Sequence, residues 1–175
     1  MKNLLITGAP GSGKTTLVRR AVKGLPGITG FYTQEIREEG ERTGFELIGF
    51  DGRRVLFAHV HSVSHHRVGQ YGVDLQAFDA YLETTSLDQA ETGLVVIDEI
   101  GRMECLSTRF RSLVTKLLDG PIPVVATVAL RGDRFIEEVK VRHDVEMVVV
   151  TRENRDALLP QVRRSLAHLI EGQKP

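Results

Sequence analysis

Residues Gly8-Ala9-Pro10-Gly11-Ser12-Gly13-Lys14-Thr15 follow the pattern GxxxxGK(S/T), and few features restrict a fold as tightly. The pattern carries meaning only between a strand and a helix, and both are legible here. Asn3 to Thr7 is a short apolar run, while Leu17, Val18, Ala21, Val22 and Leu25 repeat with helical spacing until Gly24, Pro26 and Gly27 end the helix. Glycines let successive backbone N–H groups curl around one anion, and the helix that follows adds the positive end of its dipole. In such a loop Lys14 reaches the β- and γ-phosphates of a nucleotide and Thr15 offers its hydroxyl to Mg²⁺. The expected nucleotide-binding set is therefore Gly8 to Thr15 together with Thr16. A dinucleotide-binding turn is excluded, because Gly8, Gly11 and Gly13 do not make GxGxxG and a lysine follows them.

A second acidic signal lies downstream. Leu94-Val95-Val96-Ile97 is a continuous aliphatic run, as in a strand buried on both faces, and Asp98-Glu99 closes it at the carboxyl edge, where open α/β sheets bind ligands. Asp98 is expected to hold Mg²⁺ with Thr15, and Glu99 to orient or deprotonate an attacking water. Lys14, Glu99 and Arg102 form the expected catalytic group, Arg102 as a cation beside the γ-phosphate. Arg131 and Arg134 leave a later strand at the same edge and rank below Arg102. Asn154 and Arg155, in the loop after the last strand, are candidates for base contact, with helix capping the plainer role for Asn154.

The rest of the chain frames these residues. From Gly30 to Ala58 the pattern alternates, broken by Glu39-Gly40 and Asp51-Gly52, which predicts an antiparallel meander with its aromatics Phe31, Tyr32, Phe45, Phe50 and Phe57 packing one face onto the core, the alternative being that Gly30 to Arg37 lie near the phosphates with Tyr32 or Glu35 close to the nucleotide. No periodicity marks 59–72. A helix is expected near Leu75 to Leu82, another over Arg109 to Leu118, a strand at Val124 to Val128, a short helix near Phe135 to Val139, a strand at Val145 to Val150 and a closing helix from Asp156 to Ile170. Alternating strands and helices predict an α/β fold of the three-layer P-loop NTPase type: a mainly parallel sheet, helices on both faces, and an antiparallel extension at about 30–58. At 175 residues and 41% hydrophobic content this is one domain, 1–175.

Charge and cysteine content narrow the partners. Basic and acidic residues number 23 each, so no global field gathers nucleic acid or a membrane surface, and neither is expected as a partner. The apolar start is too short for a signal or spanning segment, and Cys105 has no second cysteine to pair with; a soluble, cytoplasmic monomer is expected. His59, His61, His65 and His66 invite a metal reading, but their spacing is irregular and no acid cluster supports them, so a solvated loop near the nucleotide is the preferred reading.

Four segments carry a resemblance: Gly8 to Thr15; Gly30-Phe31-Tyr32-Thr33-Gln34-Glu35-Ile36-Arg37; Asp98-Glu99-Ile100-Gly101-Arg102-Met103-Glu104; and Thr151, Asn154-Arg155-Asp156 and Leu159-Pro160. In this order they resemble the THEP-type nucleoside-triphosphatases, small P-loop proteins of thermophilic prokaryotes and vertebrates. Arg102 stands where that family has lysine, Gln34 where glutamate is common and Cys105 where leucine is frequent. The resemblance implies Mg²⁺-dependent cleavage of the terminal phosphate from several nucleoside triphosphates, ATP and GTP among them and CTP and UTP within reach. Two rivals use the same cradle: a kinase that passes the phosphoryl group to a small molecule, and a nucleotide-dependent switch that acts on a protein partner.

Overall fold

The aliphatic runs of the sequence lie side by side in the computed structural model, which describes residues 1–87, 89 and 91–172. Among the described residues the strands are β1 (Asn3–Gly8), β2 (Ile28–Glu38), β3 (Glu41–Gly49), β4 (Arg54–His59), β5 (Arg67–Val68), β6 (Tyr71–Val73), β7 (Leu94–Ile100), β8 (Val124–Ala129) and β9 (Val145–Val149). The helices are α1 (Lys14–Val22), α2 (Leu75–Thr84), α3 (Thr108–Asp119), α4 (Arg134–Lys140) and α5 (Arg155–Glu171). The strands form one sheet in the order β5-β6-β4-β3-β2-β7-β8-β1-β9. β2, β7, β8, β1 and β9 run parallel; β3, β4, β6 and β5 extend the sheet antiparallel from β2.

Alternation along the central strands feeds two cores. Leu5, Val95, Ile97 and Ala126 face one side, where Phe78 and Tyr81 of α2, Phe110, Val114 and Leu117 of α3 and Ile136 of α4 cover them. Leu4, Ile6, Leu94, Val96 and Val125 face the other, covered by Leu17, Val18 and Ala21 of α1 and Val162 and Leu166 of α5. Strands apolar on both faces require this three-layer arrangement, since either bare face would leave aliphatic side chains in water. Helix starts are fixed locally: Asp74, Ser107 and Asp133 each accept from a backbone N–H of the first turn, at Ala77, Phe110 and Ile136.

Four expectations change. The first acid does not end β7, which continues through Asp98 to Ile100, with an irregularity against β8 between Ile97 and Ile100 and a cis peptide between Asp98 and Glu99. β2 begins at Ile28 and belongs to both halves, parallel to β7 and antiparallel to β3. Its approach to β7 requires Gly30, where φ is 119° and a Cβ would stand 1.8 Å from the Val96 carbonyl oxygen. Within 59–72 the structure places the hairpin β5–β6, held by Ser64 Oγ donating to the Val73 carbonyl (2.6 Å) and Arg67 donating to the Gln70 carbonyl (2.6 Å). Strands of two and three residues leave no periodicity to read. Finally, the aromatics do not share a face. Phe31 and Phe57 are buried against Phe78, Phe45 lies at the edge of that core, and Tyr32 with the 37% exposed Phe50 forms a separate edge-to-face pair at 5.9 Å.

No helix among the described residues is long and apolar enough to cross a membrane.

Candidate active site

The glycine loop leaves β1 at Gly8 and enters α1 at Lys14, with no side chain capping the helix, so its first-turn N–H groups stay available to an anion. Gly13 at the N-cap has φ 96°. Lys14 Nζ donates to the Gly8 carbonyl at 3.1 Å, which folds the ammonium over its own loop. One strand away, Thr127 of β8, a buried polar residue inside an aliphatic strand, points its hydroxyl at Asp98 of β7. Thr15 Oγ1 donates to the same Asp98 Oδ1 at 3.0 Å. The loop and β7 thus meet at one carboxylate.

Asp98 is 1% exposed, and its other oxygen, Oδ2, has no hydrogen-bond partner. Burial pushes its proton affinity up, against the hydroxyls of Thr127 and Thr15 and the charge of Lys14. Thr7 Oγ1, Ser12 Oγ and Arg155 Nε are also buried without partners, so four of the six such side-chain atoms among the described residues gather at the phosphate loop. Folded proteins satisfy nearly all buried polar groups, so this concentration marks a place built for a polar ligand. A carboxylate oxygen without a donor, beside a threonine hydroxyl, also fits a hard divalent cation such as Mg²⁺.

Glu99 is half-buried, and its carboxyl is raised above the usual range by burial, opposed by Lys14 and reinforced by Asp98. Behind it stands a second buried carboxylate that no motif marks. Glu104, 6% exposed, sits in a 3₁₀ turn (Glu104–Leu106), and burial followed by the charge of Glu99 pushes its pKa up to about 8. Both carboxyl groups close on Gly101: a Cβ there would stand 2.8 Å from Glu104 Oε2 and 3.5 Å from Glu99 Cδ. Its only sequence signal was membership of the segment from Asp98 to Glu104. Thr127 gave a clearer one, since a hydroxyl within Val124 to Val128 interrupts a fully apolar strand.

The remaining candidates divide. Arg155 lies across the loop, its Cδ 2.4 Å from where a Cβ on Gly13 would be, and Arg152 approaches Gly11. Asn154 instead braces the turn that carries them, accepting from Thr151 N–H (2.8 Å) and donating to the Val149 carbonyl (3.1 Å); it stands at the N-cap of α5 without a side-chain cap bond. Ala9 and Pro10 line a cavity of about 430 Å³ with Leu130, Val149, Thr151 and Arg152. Thr16 is exposed on α1. Arg102 is exposed and makes no hydrogen bond or ion pair with another described residue, whereas Arg134 pairs with Glu138 at 2.6 Å and Arg131 is exposed on its loop. The histidines are not beside the nucleotide loop: His59 closes β4, which β3, β2, β7 and β8 separate from β1.

A family model described as NTPase matches residues 3–163. The chain is 42% identical over 161 residues to nucleoside-triphosphatase THEP1 of Thermotoga sp. (strain RQ2), covering 91% of this chain and 92% of that protein. It is 38% identical over 181 residues to a cancer-related nucleoside-triphosphatase homolog of Mus musculus, covering 92% and 94%. Among solved structures, THEP1 from the hyperthermophile Aquifex aeolicus superposes with a TM-score of 0.80 at 34% identity, covering 94% of this chain and 98% of the other.

Proposed function

The chain belongs to the NTPase family, and from that premise we propose that it is a nucleoside-triphosphatase that uses Mg²⁺ and Glu99 to hydrolyse the terminal phosphate of several nucleoside triphosphates. The observation that carries the reading is the junction at Asp98: a hydroxyl from the phosphate loop on one carboxylate oxygen, and a buried, unpartnered second oxygen beside it. Loop amides and Lys14 bind the β- and γ-phosphates. Thr15 and Asp98 would hold Mg²⁺, which supplies charge neutralisation between the phosphate oxygens when bound. Glu99 accepts a proton from water as the water oxygen bonds to the γ-phosphorus, and the bond to the bridging oxygen breaks to leave the nucleoside diphosphate. A raised proton affinity suits that role, because a carboxylate with an ordinary pKa is a weak base at neutral pH. Arg102, exposed and without a partner among the described residues, would add positive charge beside the γ-phosphate.

The cavity of about 430 Å³ against Ala9 and Pro10 is the proposed seat of the base. Its lining joins the apolar Leu130, Val149 and Val150 to the polar Thr151, Arg152 and Glu153, and apolar walls contact any base alike, which favours tolerance among bases. Phosphate release from ATP, GTP, CTP and UTP, with and without Mg²⁺, tests the proposal. Glu99→Gln is expected to lower turnover by about 10²–10⁴ while leaving triphosphate affinity intact. Turnover in that variant at the wild-type rate refutes the assignment of the base.

A further inference from the structure

A groove of about 940 Å³ opens between α1 and the antiparallel half of the sheet, and nothing in the hydrolytic reading uses it. It exists because α1 and α5 stop short of this region. On their side of the sheet the core reaches Leu94 and Val96 of β7, with Ile28 of β2 packed at its margin. Beyond that, β2 and β3 present Tyr32 and Ile48, which pair across the ladder, and the turn after β3 adds Phe50. The opposite wall is one face of α1 and its end: Thr16, Arg19 and Arg20 fall at i, i+3 and i+4 and so share a side of the helix, and Lys23 follows at the C-cap.

The charge on that wall is unbalanced. The groove is lined by three basic residues and no acidic one, in a chain whose acids and bases are equal in number. Arg20 has a carboxylate, Asp156 at 2.6 Å. Arg19 and Lys23 have none among the described residues; the Arg19 guanidinium lies instead over the Tyr32 ring, 4.2 Å from its centroid. Beside it the Phe50 ring is 37% exposed. An aromatic surface next to two unmatched cations, in a volume suited to a small molecule, is complementary to a flat ring bearing an anionic group.

We propose that this groove is a second binding site, separate from the phosphate loop, for a nucleotide-class ligand: a heterocycle that stacks on the Tyr32–Phe50 surface and a phosphate that meets Arg19 and Lys23. The separation is structural. The groove flanks β2 and the cavity against Ala9 and Pro10 flanks β9, with β7, β8 and β1 between them, and the two share no lining residue. Thr16 connects the groove to the phosphate loop, one residue past Thr15. The site stands whether or not Glu99 is the base.

The test is calorimetric. Protein saturated with Mg²⁺ and a non-hydrolysable ATP analogue is titrated with AMP, with adenosine and with inorganic phosphate. AMP is expected to bind the loaded protein at least about tenfold more tightly than either fragment, since it engages ring and cations together. Arg19→Glu combined with Lys23→Glu is expected to weaken AMP about tenfold or more, with analogue affinity and phosphate release unchanged. AMP affinity indifferent to the double variant, or no AMP binding to loaded protein, overturns the proposal. A single-stranded oligonucleotide that binds far more tightly than AMP and is lost in the same variant also overturns it, in favour of nucleic acid. Failure of the analogue itself to bind strikes the phosphate-loop reading instead, and AMP titration of the unloaded protein then decides the groove separately.

Discussion

Glu104→Gln is the most discriminating change at the candidate site, because it leaves shape and burial intact and removes one proton equilibrium. The Glu104 carboxyl moves from an ordinary 4.5 to about 8 in the fold, driven first by burial and then by the charge of Glu99. Between those values the folded protein keeps a proton that the unfolded chain releases. The stabilisation from keeping it is complete below the unfolded value and is lost as pH rises through about 8. One proton difference corresponds to about 1.4 kcal/mol per pH unit, so from pH 5.5 to pH 7.5 the native state loses about 3 kcal/mol through this group. Glutamine has no such equilibrium. Urea unfolding of both proteins across this range measures the effect, since every other titrating group is common to the two. The variant is expected to gain on the wild type steadily with pH, by about 3 kcal/mol over the interval. Parallel stability curves would refute the claim that Glu104 holds its proton at neutral pH.

Two further changes probe the junction from other sides. Thr127→Val keeps the volume of the side chain and removes its hydrogen bond to Asp98; with a bond to a charged group worth about 1.5–3 kcal/mol, turnover should fall about 10- to 100-fold. Losing that donor also raises the proton affinity of Asp98, so the acid limb of the pH–rate profile should move to higher pH, and an unmoved limb counts against the role of Thr127. Gly13→Ala places a methyl in the space of Arg155 Cδ at φ 96°, so calorimetry should find weaker triphosphate binding and thermal unfolding a loss of about 1–2 kcal/mol. Unaltered binding would show that the loop does not need its present shape.

The parallel half of the sheet was legible because burial on both faces writes an unmistakable signal: β1, β7 and β8 read as uninterrupted aliphatic runs, and each was found within three residues of its observed bounds. The closing helix was read through Pro160, and α5 continues past it, with Val162 and Leu166 buried on the far side of the proline. What could not be read were features fixed by contacts rather than by period. The hairpin β5–β6 rests on side-chain-to-carbonyl bonds from Ser64 and Arg67, and the two faces of β2 and β3 were merged because alternation says which residues share a side but not which side has a helix over it. The pattern alone therefore does not separate Tyr32 and Phe50 from the aromatics of the core.

The candidate site shows the same division more sharply. Gly8 to Thr15 and Asp98-Glu99 were legible because each needs several residues of fixed type in a row, so the motif itself is the constraint. Thr127 and Glu104 are single residues, and their significance arises only when β8 is laid beside β7 and when the turn after Ile100 folds back on Gly101. Thr127 lowers the proton affinity of Asp98, and the charge of Glu99 adds to the burial that raises that of Glu104. In the proposed chemistry, the metal-facing carboxylate must remain charged while the base keeps a high proton affinity, and two acids adjacent in sequence cannot separate in that way without different neighbours. Burial raises both acids, but only Asp98 has threonine hydroxyls to oppose it, so the division of labour between Asp98 and Glu99 is a property of the fold around the motif rather than of the motif.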